Sequence, residues 1–130
     1  MTPGELRART KEFAIEVIKF ARTLPRDPFS HEIGIQLVRS ATSVAVNYRA
    51  SSRSRSNAEF VARMGIVEEE ADERRLWLEI LVEDGSTSRE RVEALIDEAD
   101  QLVRIAVASI KTARQRGMEA KLRPNVTARL

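Results

Sequence analysis

The stretch Gln36–Ser56, QLVRSATSVAVNYRASSRSRS, decides the fold. With Ile33 one turn earlier, Leu37, Ala41, Val44 and Tyr48 recur at steps of three and four residues, which makes one stripe on an α-helix and not the alternation of a strand. Beside that stripe runs a polar line of Gln36, Ser40, Ser43 and Asn47, and the segment then ends in arginine and serine. A helix with one apolar stripe requires neighbours to cover it.

The flanks supply those neighbours. Thr2-Pro3-Gly4-Glu5 reads as a capping box with proline at the first helical position, opening a helix to about Thr23 whose stripe is Leu6, Phe13, Val17, Phe20 and Leu24. The segment LPRDPFSHE is a turn, and the second helix starts at Asp27 or Ser30 with Glu32 favouring its positive end. Ser56-Asn57-Ala58-Glu59 is a second capping box, opening a helix through Phe60, Met64, Val67, Ala71, Leu78 and Leu81 to a stop at Gly85. Thr87-Ser88-Arg89-Glu90 reads as a third box, followed by Val92, Leu95, Ala99, Leu102, Val103, Ala106 and Ile110, with Gly117 as the end. Short connections force consecutive helices to run antiparallel. The expected fold is therefore all-α, an antiparallel up-and-down four-helix bundle over residues 1–116, with 117–130 a basic, mobile tail.

Bulk composition agrees. A chain of 130 residues with 42% hydrophobic and 32% charged residues builds one core. It has no cysteine, hence neither disulfides nor thiolate metal sites, and no apolar run long enough to span a membrane or serve as a secretion signal. The cytoplasm is the expected compartment.

The net charge of +2 hides strong local fields. Residues 1–67 hold eleven basic against six acidic side chains, 68–100 four against thirteen, and 101–130 seven against one. Arg49, Arg53, Arg55 and Arg63 surround the second turn, interleaved with Ser51, Ser52, Ser54 and Ser56, and Lys111, Arg114 and Arg116 lie toward the end of the fourth helix. In an antiparallel bundle those two regions share one pole. Arginine forks, hydroxyls and a helix N-terminus suit phosphate oxygens; the same arginines could equally pair with acids of a neighbouring subunit. The acidic run Glu68–Glu73 reads mainly as a solvated face, with Glu70 and Arg74 spaced for an i,i+4 ion pair.

The polar line has two readings. Small Ser and Ala side chains let helices approach closely while Asn47 sets register, or the line lies at a subunit interface or binds a ligand. Trp77 is either a core edge or an interface anchor. Catalysis finds no support: there is no cysteine, no glycine-rich phosphate loop, and a single histidine, His31, which fits a cap or surface position. A di-metal bundle site needs Glu-x-x-His on two helices, so no metal or other cofactor is expected.

The segment IGIQLVRSATSVAVNYRASSRSRSNAEFVARMGIVEEEADE resembles the four-helix bundle proteins encoded within 23S ribosomal RNA intervening sequences. That family's second helix carries Gln-x-x-Arg-x-Ala-x-Ser-hydrophobic-x-x-Asn, matched here by Gln36, Arg39, Ala41, Ser43, Val44 and Asn47, with Glu69 or Glu73 for a glutamate on the third helix. The similarity covers roughly residues 10 to 115. Where the family commonly continues Asn-Ile-Ala-Glu-Gly, this chain has Asn47-Tyr48-Arg49-Ala50-Ser51, a basic helix end in place of an acidic one. The accessory protein of diversity-generating retroelements is similar in layout. The resemblance implies no enzymatic activity and a homo-oligomer, by that relation a pentamer, with RNA or DNA and a reverse transcriptase as partners. Packing or interface contacts would fall to Gln36, Arg39, Ser40, Ser43, Asn47 and Trp77. The expected function is a non-enzymatic oligomer that binds nucleic-acid backbone, the alternative a purely structural or regulatory protein-interaction module.

Overall fold

The computed structural model describes residues 1–122, and within them four helices run in sequence: α1 (Pro3–Ala21), α2 (Pro28–Ser51), α3 (Asn57–Glu83) and α4 (Arg89–Leu122). They form the antiparallel up-and-down bundle. Packing is most extensive between α3 and α4 and between α2 and α3, and far sparser between α1 and α4, where the circuit closes.

Each of the first three helices begins for a local reason. Thr2 forms its full capping box, its hydroxyl accepting from the Glu5 amide at 3.1 Å while its own amide donates to Glu5 Oε2 at 2.9 Å. Asp27, not Ser30, caps α2, its carboxylate accepting from the Phe29 and Ser30 amides at 3.0 and 2.9 Å and from Ser30 Oγ at 2.8 Å. Those bonds, led by the one from the Ser30 amide, hold Asp27 below the usual carboxylate range. The second box forms by half. Ser56 Oγ accepts from the Glu59 amide, but the Glu59 carboxylate reaches the Arg55 amide instead of returning to Ser56.

The third box does not form as predicted. Helix α4 starts at Arg89, one residue later than a Thr87 cap requires, and Thr87 Oγ1 is buried without a hydrogen-bond partner. The Thr87 amide is instead drawn back to the Leu81 carbonyl, in the wrap around Gly85, whose φ of +86° ends α3. Gly117 also departs from expectation, because α4 continues through it to Leu122. A Cβ there would stand 2.8 Å from Asn57 Nδ2, so this glycine leaves room for the Asn57 side chain and does not end the helix. The boundary drawn at 116 thus falls inside a helix; the remainder of the expected tail, 123–130, lies outside the described residues.

The core is the union of the four stripes, with Val17, Leu37, Ala41, Val44, Ala71, Leu78, Leu81, Val92, Ala99 and Ala106 fully inaccessible. Burying each large aliphatic side chain contributes about 1.5–3 kcal/mol. Two gaps in the predicted stripes are filled by polar residues. Thr10 sits between Leu6 and Phe13, its hydroxyl bonded to the Arg7 carbonyl. Arg74 sits between Ala71 and Leu78, entirely inaccessible, with its guanidinium 5.6 Å from the centre of the Phe13 ring.

Arg74 overturns the expected i,i+4 pair. Both its terminal nitrogens donate to the Glu70 backbone carbonyl and not to the Glu70 carboxylate, and its Nε has no partner. Burial pushes Arg74 down to about 10 and is the leading cause of the raised Glu70 carboxyl. A desolvated guanidinium without a bonded carboxylate is costly. Arg74→Met, which keeps the volume and drops the charge, should raise the unfolding free energy by about 1–3 kcal/mol, measured by urea denaturation. Arg74→Ala should lower it, because the cavity remains.

The depressed Asp27 sets a second expectation. Its contribution is present above the ordinary carboxylate pKa of about 4 and is lost as pH falls through the lower folded value. Below pH 4 the melting temperature should therefore fall more steeply in the native chain than in Asp27→Asn.

Candidate nucleic-acid interface

Two contacts show which ends of the helices meet. Tyr48 near the end of α2 donates its hydroxyl to the Pro3 carbonyl at the start of α1 (3.3 Å), and Asn57 at the start of α3 donates to the Ala113 carbonyl of α4 (2.7 Å). One pole thus gathers the α2–α3 turn with Arg53 and Arg55, the last turns of α2 with Arg49, the second turn of α3 with Arg63, and α4 with Lys111, Arg114 and Arg116. All seven are exposed. Among the described residues none meets a carboxylate within ion-pair distance.

The sequence reading missed two members. Arg7 and Lys11 of α1 border a shallow cleft of about 280 Å³ together with Ala45, Val46 and Arg49, and so extend the basic surface down the α1–α2 face. Their signal was the antiparallel geometry itself, since the first turns of α1 must share a pole with the end of α2. The hydroxyls contribute less than expected. Ser51 is buried and donates to the Tyr48 carbonyl at 2.6 Å, Ser52 donates to the Arg49 carbonyl at 2.7 Å, and Ser56 is engaged as a cap. The helix dipoles also largely cancel, because two N-termini and two C-termini meet there. The field of this pole comes from side chains.

The polar line of α2 lies between helices and satisfies itself. Ser40 is buried and donates to the Gln36 carbonyl at 3.0 Å, Asn47 Nδ2 donates to the Ser43 carbonyl and hydroxyl at 2.9 and 3.0 Å, and Gln36 reaches Glu32 at 3.2 Å. Its one bond to a neighbour comes from Arg63, whose Nη1 donates to Asn47 Oδ1 at 3.4 Å. Asn47 therefore steadies a cation of the pole. Arg39 stands apart from this line, exposed on the rim of an α1–α2 groove of about 1050 Å³ with Arg22, Arg26 and the exposed His31. Trp77 packs against the core edge, half-buried, with its indole donating to Glu73 at 3.2 Å.

Elsewhere charges pair. Arg9 forms a two-pronged bond to Glu98 at 2.7 and 2.5 Å across the loose α1–α4 seam, which raises its pKa. Arg75 joins α3 to Asp100 of α4 at 2.8 Å. No group of His, Asp and Glu among the described residues is placed to hold a metal ion, and no described helix is long and apolar enough to cross a membrane.

Residues 5–108 match the family model described as 23S rRNA-intervening sequence protein. The chain belongs to that family. Its fold is also found in the crystal structure of a protein of unknown function from the S23 ribosomal protein family of Bacteroides thetaiotaomicron, at 25% identity and a TM-score of 0.78, over 85% of this chain and 99% of that one. No curated protein matches it in sequence. Neither likeness indicates a catalytic family.

Asn47→Ala should cost about 0.5–1.5 kcal/mol in urea denaturation, a small loss because the Ser43 carbonyl keeps its helical bond.

Proposed function

We propose that this family member is a non-enzymatic, self-associating bundle of the cytoplasm that binds the backbone of RNA or DNA at its basic pole. What carries the reading is the gathering at a single end of seven exposed cations, from three helices and one turn, that meet no carboxylate among the described residues. Cations drawn together against their mutual repulsion suit an anionic partner, and a nucleic acid offers phosphates over the same breadth. Self-association is supported by large apolar side chains left in water, Ile35, Val46, Leu76 and Val107, each 40–65% exposed. The family resemblance extends the proposal to a ring of five copies and to a reverse transcriptase as protein partner.

A protein-interaction module that binds no nucleic acid is the second reading. It is favoured by the same apolar side chains and by the arginine-rimmed α1–α2 groove.

Light scattering tests self-association, and a monomeric mass removes it. Titration of labelled RNA and DNA against salt tests the pole. The log–log slope should steepen by about 0.9 per phosphate contacted on duplex DNA, and Arg53→Ala/Arg55→Ala should flatten it by about 2. Both side chains lie in an exposed turn, so the variant should keep its helical circular dichroism. Failure of every nucleic acid to bind at low salt would leave the protein-partner reading.

A further inference from the structure

The basic pole lacks something that most sites for single strands possess. Proteins that hold single-stranded nucleic acid stack its bases on aromatic rings, at about 1–3 kcal/mol per base. The chain has six aromatic residues, and none of them is fully exposed at this end. Phe13 and Phe20 are core residues, and Tyr48, near the end of α2, is 6% exposed with its hydroxyl tied to Pro3. Phe60 is half-buried against the core. Phe29 is exposed, but it lies in the first turn of α2, about 30 Å from Arg49 at 1.5 Å per residue. Trp77 is about 20 Å along α3 from Arg63 by the same rise. Residues 123–130 contain no aromatic residue either.

The cleft between Arg7, Lys11 and Arg49 is small, and among its lining residues there is no ring to sandwich a base. What the pole offers is charge on a rigid support. Five of its seven cations are anchored on helices, Arg49 on α2, Arg63 on α3 and Lys111, Arg114 and Arg116 on α4. Arg63 is further held by Asn47. A surface that earns its attraction from phosphates alone gains most from the densest, stiffest array of them. A duplex carries one phosphate per about 1.7 Å of axis against about 3.4 Å for one strand, and a flexible strand must also be ordered on binding.

We propose that the basic pole selects double-stranded over single-stranded nucleic acid, engaging the spacing of phosphates and not the bases. This rests on the reading of the pole as a nucleic-acid site. RNA and DNA duplexes share the chemistry, and separate arms of the test distinguish them.

The experiment is fluorescence anisotropy with the full chain and four labelled oligomers of one sequence, about 20 nucleotides long: single-stranded RNA, single-stranded DNA and the two duplexes, in low-salt buffer. The expected result is at least tenfold tighter binding of one or both duplexes than of either single strand, with that advantage lost in Arg49→Ala/Lys111→Ala/Arg114→Ala, whose positions are exposed on helices. Single strands binding as tightly as duplexes would overturn the selectivity and leave the nucleic-acid reading standing. Duplex preference that survives the triple substitution would overturn its assignment to this pole. Absence of binding to all four would overturn the nucleic-acid reading and the selectivity together.

Discussion

Three connections, residues 22–27, 52–56 and 84–88, are too short to carry the chain back along the length of a helix, and everything else depends on that constraint. Each helix must start where the last one ended and run the other way. The alternation brings the start of α1, the end of α2, the start of α3 and the later turns of α4 to one tip, so charges scattered through the sequence become neighbours. The Asn57–Ala113 and Tyr48–Pro3 hydrogen bonds are the local record of it.

The constraint decides direction but not cohesion, which comes from burial of the four stripes. Alanines at 41, 71, 99 and 106 let backbones approach, and leucines and valines fill the layers between them. Cohesion is uneven. The α1–α4 side is the weak wall, with a groove of about 720 Å³ bordered by Phe13, Phe20 and Leu95, and the Arg9–Glu98 fork spans it. Arg74 is the costly element of this interior. Its hydrogen bonds return to its own helix and its face lies over Phe13, so the charge is tolerated more than it is used.

Function follows from what the fold leaves unsatisfied. Polar groups of the α2 seam bond carbonyls of α2, the Glu32 carboxylate and Arg63. Cations of the pole meet no carboxylate among the described residues, whereas Arg9 and Arg75 do. The proposal of binding through charge rests on that end of exposed arginines and lysines.

The helices, their order and most of their buried residues were legible in the sequence, because apolar spacing, the Thr2 and Ser56 caps and the Gly85 stop act over a few residues. So was the shared pole, since alternation follows from short connections. Arg74 was legible only as a gap: the step from Ala71 to Leu78 skips a position that must face inward, but charge argued for water, and only packing on every side overrode it. Gly117 could not be read correctly, because a glycine that ends a helix and one that admits a neighbouring side chain look alike until Asn57 is placed against it. The contribution of Arg7 and Lys11, the withdrawal of Ser51 and the bond from Arg63 to Asn47 likewise depend on separation in space. Short-range rules determine where elements begin and which face is greasy; which polar groups find partners is decided only when distant segments are brought within 3 Å or so of each other.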